Sequence, residues 1–401
     1  MALQPAAGAR DLNPGQVDSN RRLCDLLANV YRLWGYQEVA PPTIERLDTL
    51  EAGGAIAERE LVRLVADEPL GLRPELTAPI ARAASTRMLG RPRPLRLWAS
   101  GTTFRSFIGD GGGQRISEQL QSGVELLGEP SAAADTELLH LLLAALASLE
   151  LPLPHQPTLL VGHHGLLSAL LSQVPQEQRS AARHALTDFD PLALGALSLP
   201  DSQRQRLMAL IGLRGEPVRV LYQLEQWLGP VPLLESLAVT LASVKQPATD
   251  LGVRVQLDPT FQPHFDLYDG LVFKLVCQGA DAPVAIASGG RYDALVGRFC
   301  AGSSGAGGQG AAGTGFGFDV EAIRDLLESD GAPAVGEAHA PGPWLVASAT
   351  AAGLGQALSR MGHLHRGGEA AELCTHPCAD RSEAERLAAE RGCRGAVWLA
   401  A

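Results

Sequence analysis

Acidic, basic and hydroxyl-bearing side chains that could hold a small charged ligand occur in several short segments. Glu75 could pair with an ammonium group, and Thr77 places a neutral hydroxyl beside it. Arg105 offers a fork of donors suited to a carboxylate or a phosphate. The remaining candidates are Gln121, Glu125, Tyr268 and Tyr292. On residue types alone, a surface ion pair, a strand hydrogen bond and core tyrosines are the more common interpretation.

The spacing of one pair favours a shared site. Gln121 and Glu125 are four positions apart in segment 121–129, which has the pattern of a strand. Alternate residues of a strand point to the same face, so an even spacing places both side chains on one side of the sheet. We therefore expect Gln121 and Glu125 to line the same pocket.

The elements that would position these residues indicate an α+β fold with a largely antiparallel sheet flanked by helices. Helical periodicity predicts a helix over 17–34, and an almost wholly helical block covers about 165–247. We expect residues 1–330 to form one domain and residues 341–401 a small α/β module. Strands are predicted at 95–105, 121–129, 253–258, 268–277, 284–288 and 343–348.

Composition excludes several classes of function. The 401-residue chain has a net charge of −11 and contains only two lysines, Lys245 and Lys274, so a phosphate-binding G-x-x-x-x-G-K-[ST] loop is absent. An acidic surface repels nucleic acid, and we expect no nucleic-acid partner. No segment approaches the roughly 18 uninterrupted apolar residues of a membrane helix, so no membrane association is expected.

Six sparse cysteines are typical of a reducing cytoplasm, where we expect the protein to be located. The segment Cys374-Thr-His-Pro-Cys378 has two interpretations. His376 and Cys393 could complete a metal site, or the cysteines are ordinary buried thiols beside a turn. Because a second ligand pair at finger-like spacing is missing, we expect neither a metal nor a cofactor.

Five segments in register resemble class II aminoacyl-tRNA synthetases, and histidyl-tRNA synthetase in particular. The resemblance covers roughly residues 8–325 and implies an antiparallel sheet flanked by helices, in a dimer with Pro42 at its interface. The segments are YRLWGYQEVAPPTIE (31–45), LRPELTAPIARA (72–83), LWASGTTFRSF (97–107), QLQSGVELLGE (119–129) and SGGRYDALV (288–296).

The resemblance gives the candidate residues a common role, since all seven match positions that bind histidine in the synthetase. Glu75 and Thr77 would then face the ammonium group, Arg105 the carboxylate, and the two tyrosine hydroxyls the imidazole nitrogens. The implied histidine-binding set is Glu75, Thr77, Arg105, Gln121, Glu125, Tyr268 and Tyr292.

The chain departs from the synthetase where ATP would bind. Ala322 stands in place of the arginine that ends the third motif, Pro263 in place of a second arginine, and Phe107 in place of the acid of F-R-x-E. Arg324 would point about 200° away from Ala322 on a helix, and the 108–117 loop keeps only Arg115. Losing one electrostatic group of this kind typically raises the barrier by about 2.7–4 kcal/mol. We therefore expect no catalytic residues.

A retained amino-acid pocket without the ATP machinery resembles the ATP phosphoribosyltransferase regulatory subunits. That resemblance implies a non-catalytic partner of a short-form catalytic subunit in the first step of histidine biosynthesis, self-association as a dimer, and histidine as a sensed ligand. Residues 341–401 would be a truncated remnant of an anticodon-binding domain.

Two alternatives remain open. The chain could be a divergent, active histidyl-tRNA synthetase, or an amino-acid-binding paralogue that serves another enzyme. ATP–pyrophosphate exchange distinguishes the first alternative, and copurification with the short phosphoribosyltransferase distinguishes the second.

Overall fold

The computed structural model describes residues 4–52, 54, 56–109, 111–151, 155–262, 267–301, 311–329 and 342–400. The chain divides into two compact units, Met1–Ala332 and Pro333–Ala401. No helix among the described residues is long and apolar enough to cross a membrane.

The secondary structure is mixed. In the described ranges the strands are β1 (Gln37–Glu38), β2 (Ile44–Arg46), β3 (Val62–Arg63), β4 (Leu70–Leu72), β5 (Leu95–Ile108), β6 (Gln114–Leu127), β7 (Thr158–His163), β8 (Arg254–Leu257), β9 (Leu271–Gln278), β10 (Pro283–Arg291), β11 (Gly313–Asp319), β12 (Trp344–Ser348), β13 (Ala371–Leu373) and β14 (Gly395–Leu399). The α-helices are α1 (Pro14–Leu33), α2 (Leu47–Ala52), α3 (Thr77–Thr86), α4 (Ala132–Ser148), α5 (His164–Leu171), α6 (Arg179–Thr187), α7 (Pro191–Gly195), α8 (Asp201–Gly212), α9 (Pro217–Leu228), α10 (Pro232–Asp250), α11 (Asp293–Ala301), α12 (Val320–Ser329), α13 (Leu354–Arg366) and α14 (Arg381–Glu390).

An eight-stranded sheet forms the centre of the first unit, in the order β1-β5-β6-β11-β10-β9-β7-β8. Only the two edge pairs, β1 with β5 and β7 with β8, are parallel. The predicted α+β class with a largely antiparallel sheet is therefore confirmed. The longest strands, β5 and β6, form a hairpin that pairs without interruption from Leu95↔Leu127 to Ile108↔Gln114.

Helix α1 covers one end of this sheet with an apolar stripe. It starts earlier than the predicted residue 17, because the Asn13 side chain accepts a hydrogen bond from the backbone of Gln16 and caps the helix. Leu23, Leu27 and Tyr31 follow at helical spacing and are fully buried.

The helical block contains α5 to α10, and two of its breaks have local causes. Asp190 caps α7 through its side chain, and Gly229 ends α9 with a positive φ of 73°. Pro247 lies inside α10, which continues to Asp250. The block is preceded by β7, a strand that was not predicted, because its short apolar run has no alternating pattern and is buried between β9 and β8.

The second unit is a three-stranded parallel sheet in the order β13-β12-β14, with helices α13 and α14. The spacing of Ser382 and Glu385 has the pattern of a capping box and would predict that α14 starts at Ser382, but the structure shows this prediction to be wrong. Asp380 is the cap, because its carboxylate accepts from the backbone of Glu383, which places Ser382 within the first turn.

Candidate functional site

The structure brings all seven candidate residues to one cavity of about 80 Å³ in the first unit. Four sequence-distant segments supply them: the start of α3, the β5–β6 hairpin, the approach to β9 and the end of β10. The candidates lining the cavity are Glu75, Thr77, Arg105, Gln121, Glu125, Tyr268 and Tyr292. The rest of the lining consists of Ile56, Leu76, Gly123, Leu267, Ser288, Gly315, Phe316 and Gly317.

The cavity lies over the centre of the sheet. Gln121 and Glu125 both face it from β6, as their even spacing predicts. Side chains at the centre of a sheet are held by strands on both sides, so their positions are more closely fixed than those on a loop.

Glu75 is half-buried and performs a structural task as well. Its carboxylate accepts hydrogen bonds from the backbone nitrogens of Thr77 and Ala78, the latter at 3.1 Å, at the start of α3. Burial raises the pKa of Glu75, while these bonds and the nearby Arg105 guanidinium act in the opposite direction. The residue therefore combines a helix-capping role with an acidic group facing the cavity.

Glu125 and Tyr292 form a buried pair opposite. The Tyr292 hydroxyl donates a hydrogen bond to the Glu125 carboxylate, and both residues are almost inaccessible to solvent. Burial raises the pKa of Glu125 to about 8, against the hydrogen bonds from Tyr292 and Thr77, and the neighbouring Glu75 adds to the rise. Burial thus favours the protonated form of the Glu125 carboxyl group.

Arg105 and Tyr268 lie on the remaining side. The Arg105 Nε donates to the Pro74 carbonyl at 3.3 Å, which holds the guanidinium beside the segment that carries Glu75. Burial raises the pKa of Tyr268, and the carboxylates of Glu125 and Glu75 add to the effect. The cavity therefore contains two carboxyl groups, one guanidinium and two phenols.

Glycines on the adjoining strands make room for these side chains. Gly315 pairs with Glu125 across β11 and β6, and a Cβ at Gly315 would overlap the Glu125 carboxylate and the Val124 carbonyl oxygen. A Cβ at Gly290 would lie 2.7 Å from the ring of Tyr268. Gly290 and Gly315 thus have a steric reason that the spacing of the candidate residues did not reveal.

Sequence analysis also missed a positioning residue, Arg291. Its buried guanidinium bonds Asp135 of α4 at 3.0 Å and Asp293 of α11 at 3.2 Å, and it donates to the carbonyls of Glu129 and Ser131. Tyr292 follows it directly. Arg291 therefore anchors the end of β10 from which Tyr292 enters the cavity. Its position within the SGGRYD segment was the only feature of the sequence that pointed to this role.

Comparison with known proteins identifies the family. The histidyl-tRNA synthetase family model matches residues 8–323. The ATP phosphoribosyltransferase regulatory subunit of Prochlorococcus marinus (strain MIT 9303) is 52% identical over 399 residues, covering 100% of both chains. The protein of the same name from Synechococcus sp. (strain RCC307) is 51% identical over 400 residues, again covering 100% of both chains. The chain belongs to the ATP phosphoribosyltransferase regulatory subunit family.

Solved structures confirm the class II synthetase-like fold expected for this family. An ATP phosphoribosyltransferase regulatory subunit/histidyl-tRNA synthetase from Bacillus halodurans C superposes with a TM-score of 0.81 at 24% identity, covering 100% of this chain and 99% of that one. Histidyl-tRNA synthetase from Nostoc sp. PCC 7120 gives 0.78 at 17% identity, covering 100% and 92%. At these identities the likeness establishes the fold alone.

Arg324 does not face the cavity of this regulatory-subunit family member. It is buried, with 1% of its side chain exposed, and its guanidinium bonds Asn20 of α1 at 3.0 Å and its neighbour Asp325. Ala322 lies in the first turn of α12, where its backbone nitrogen donates to Asp319. Arg324 therefore links α1 and α12 through the hydrogen bond to Asn20.

Phe107 stands where the synthetase motif F-R-x-E has its acid. It lies near the end of β5, and 42% of the residue is exposed. Pro263 and the neighbouring His264 lie outside the described residues, as do 302–310 of the Gly-rich segment 300–313.

Two of the three cysteines of the second unit form a close thiol pair. The Sγ atoms of Cys374 and Cys378 are 3.7 Å apart, and both residues are buried against the small sheet. Burial raises the pKa of the Cys378 thiol to about 11. Among the described residues, no group of three or more His, Cys, Asp or Glu side chains is arranged to hold a metal ion.

Proposed function

We propose that this chain is a non-catalytic regulatory subunit, required with a short-form ATP phosphoribosyltransferase for the first step of histidine biosynthesis. The observation that carries the proposal is one cavity lined by all seven candidate histidine-binding residues, in a chain whose full-length relatives are named regulatory subunits. Its departures from the synthetase at Phe107, Pro263 and Ala322 support the absence of amino-acid activation.

We further propose that the cavity binds histidine as a feedback signal. Glu75 would pair with the ammonium group and Arg105 with the carboxylate, while Tyr268, Tyr292 and Glu125 would hydrogen-bond the imidazole. The chemistry of this lining matches the three polar groups of a free amino acid with an imidazole side chain. Histidine would then favour one state of the assembly, with a coupling typically of about 1–3 kcal/mol.

The assembly we propose contains the short catalytic subunit and a dimer of this chain, in the cytoplasm. The first-motif resemblance at residues 31–45 supports the dimer, and the acidic composition supports the absence of a nucleic-acid partner.

Glu75→Gln tests the ligand assignment by titration calorimetry with histidine. The amide removes the negative charge but keeps an acceptor for the start of α3. Removing one member of a desolvated charge pair typically costs about 2–5 kcal/mol, so affinity should fall roughly thirty- to several-thousand-fold. Glu177→Gln, an exposed residue outside the cavity, is the matched control and should bind as wild type does.

Activity assays separate the proposed function from its alternatives. The isolated chain should show no histidine-dependent ATP–pyrophosphate exchange, and it should raise phosphoribosyl-ATP formation by the short catalytic subunit. Exchange above a no-enzyme control would favour an active synthetase. An unchanged catalytic rate would favour a paralogue that serves another enzyme. Tight histidine binding by Glu75→Gln would remove only the proposed pairing of Glu75 with the ammonium group.

A further inference from the structure

A second and larger cavity lies apart from the candidate histidine site. It is a groove of about 1110 Å³ between α9 and α10 that ends at the edge strand β8. We call it the α9–α10 groove. It shares no lining residue with the first cavity. Its apolar lining includes Val218, Leu221, Tyr222, Ala238, Leu241 and Val255.

Two large apolar side chains of this groove are well exposed. Val218 and Tyr222, one turn apart on α9, are each 63% exposed, whereas Val220 and Leu224 on the other face of the helix are buried. Isolated exposed apolar residues are normal on protein surfaces. Here they flank a continuous groove, and such contiguous patches mark interaction sites.

The two ends of the groove carry different charges. Glu225 near the end of α9 and Glu235 in the first turn of α10 lie beside the connection between the helices, and neither has an ion pair or side-chain hydrogen bond within the described ranges. At the other end, Lys245 pairs with Glu216 at 3.8 Å, and Arg254 begins β8. One end is therefore acidic and uncompensated, and the other carries an exposed cation.

This pattern selects one kind of occupant. A groove between two antiparallel helices fits a third helix, whose residues at i, i+3, i+4 and i+7 would enter the apolar floor. Basic side chains at one end of that helix would complement Glu225 and Glu235, and acidic ones at the other end would complement Arg254.

We infer that the α9–α10 groove docks an amphipathic helix of the short ATP phosphoribosyltransferase catalytic subunit, basic at one end and acidic at the other. The inference rests on the proposed function, because a regulatory subunit acts through contact with its catalytic chain. Docking at this groove leaves the histidine cavity unobstructed, since the two sites have no residue in common.

The test measures binding of the full chain to the purified short catalytic subunit from the same genome. Val218→Ser combined with Tyr222→Ser removes the apolar contacts, and Glu225→Lys combined with Glu235→Lys reverses the acidic end. Each double variant should weaken binding about tenfold or more, and the charge reversal should have its largest effect at low salt. Leu192→Ser, 84% exposed on α7 outside the groove, is the matched control and should bind normally.

Two further measurements distinguish the possible failures. All variants should keep the thermal unfolding temperature and histidine affinity of the wild-type chain. The changed side chains are exposed, and none of them lines the cavity proposed to bind histidine. If wild type itself does not bind the catalytic subunit, the proposed function is wrong. If wild type binds and the groove variants bind equally well, the docking inference alone is wrong. If the variants instead lose only self-association in sedimentation experiments, the groove holds a second copy and the inference is likewise overturned.

Discussion

Glu125 is a buried acid of the cavity with a raised pKa, so its titration changes the net charge of the cavity lining. Its pKa of about 8, raised by burial, means that the native protein holds a proton which the unfolded chain releases near its ordinary pKa of 4.5. The native state therefore binds more protons between these two values. The contribution of this proton to stability is complete below about pH 4.5 and is lost as pH rises toward 8.

Glu125→Gln isolates this contribution, because glutamine does not titrate and can still accept from Tyr292. We expect the difference in free energy of unfolding, wild type minus variant, to fall steadily from pH 5 to pH 8 and then to level off. Urea unfolding of both proteins at pH 5, 7 and 9 measures it. A flat difference over this range would mean that Glu125 titrates normally.

At the scale of residues, the sequence was most informative where chemistry and periodicity agreed. Gln121 and Glu125 were placed on one face by spacing alone, and the resemblance added Glu75 and Tyr292 from distant segments. Arg291 was missed because its partner Asp135 is 156 positions away, a separation that no local pattern reveals. Whether the seven residues bind histidine remains a prediction.

At the scale of elements, β11 makes room for the cavity because Gly315 has no side chain. Gly315→Ala would place a methyl group against the Glu125 carboxylate and the Val124 carbonyl, and only the carboxylate can move aside easily. Gly317→Ala, two residues further along the same strand, meets nothing within 4 Å. We expect Gly315→Ala to lower the free energy of unfolding by about 1–3 kcal/mol and Gly317→Ala to leave it nearly unchanged.

Chemical denaturation of the two alanine variants beside wild type checks this contrast. Equal stability of both would show that β11 shifts away from β6 at little cost, and that the close packing over Glu125 is not required.

Elements were predictable where a local signal started or ended them. Asp190 and Gly229 stand at helix ends inside the helical block, and Ser131 is the N-cap residue of α4. The strand β7 was missed, because a buried strand with apolar residues on both faces has no periodicity of its own. The order of strands within the sheet depends on long-range pairing and was not predicted; the resemblance to class II synthetases implied only a mainly antiparallel sheet flanked by helices.

At the scale of the whole molecule, the cavity proposed to bind histidine is contained in one compact unit. Every residue that lines it falls within Met1–Ala332. A shortened chain of residues 1–332 should therefore fold and bind histidine with an affinity within about twofold of the full chain, about 0.4 kcal/mol. Calorimetric titration of both chains measures this. Loss of binding by a shortened chain that remains folded by circular dichroism would show that the second unit supports the cavity.

The strand order of the large sheet also determines how long each strand waits for its neighbour during synthesis on the ribosome. Strand β6 pairs with β5 as soon as their hairpin emerges, but its other neighbour, β11, follows about 190 residues later along the chain. At about 5–20 residues added per second, β6 keeps an open edge for roughly 10–40 s. An open strand edge is a template for pairing with another chain, so we expect this edge of β6 to be a site of aggregation until β11 is made. The candidate cavity is incomplete over the same interval, because Tyr292 and Gly315 in its lining are synthesised only at its end.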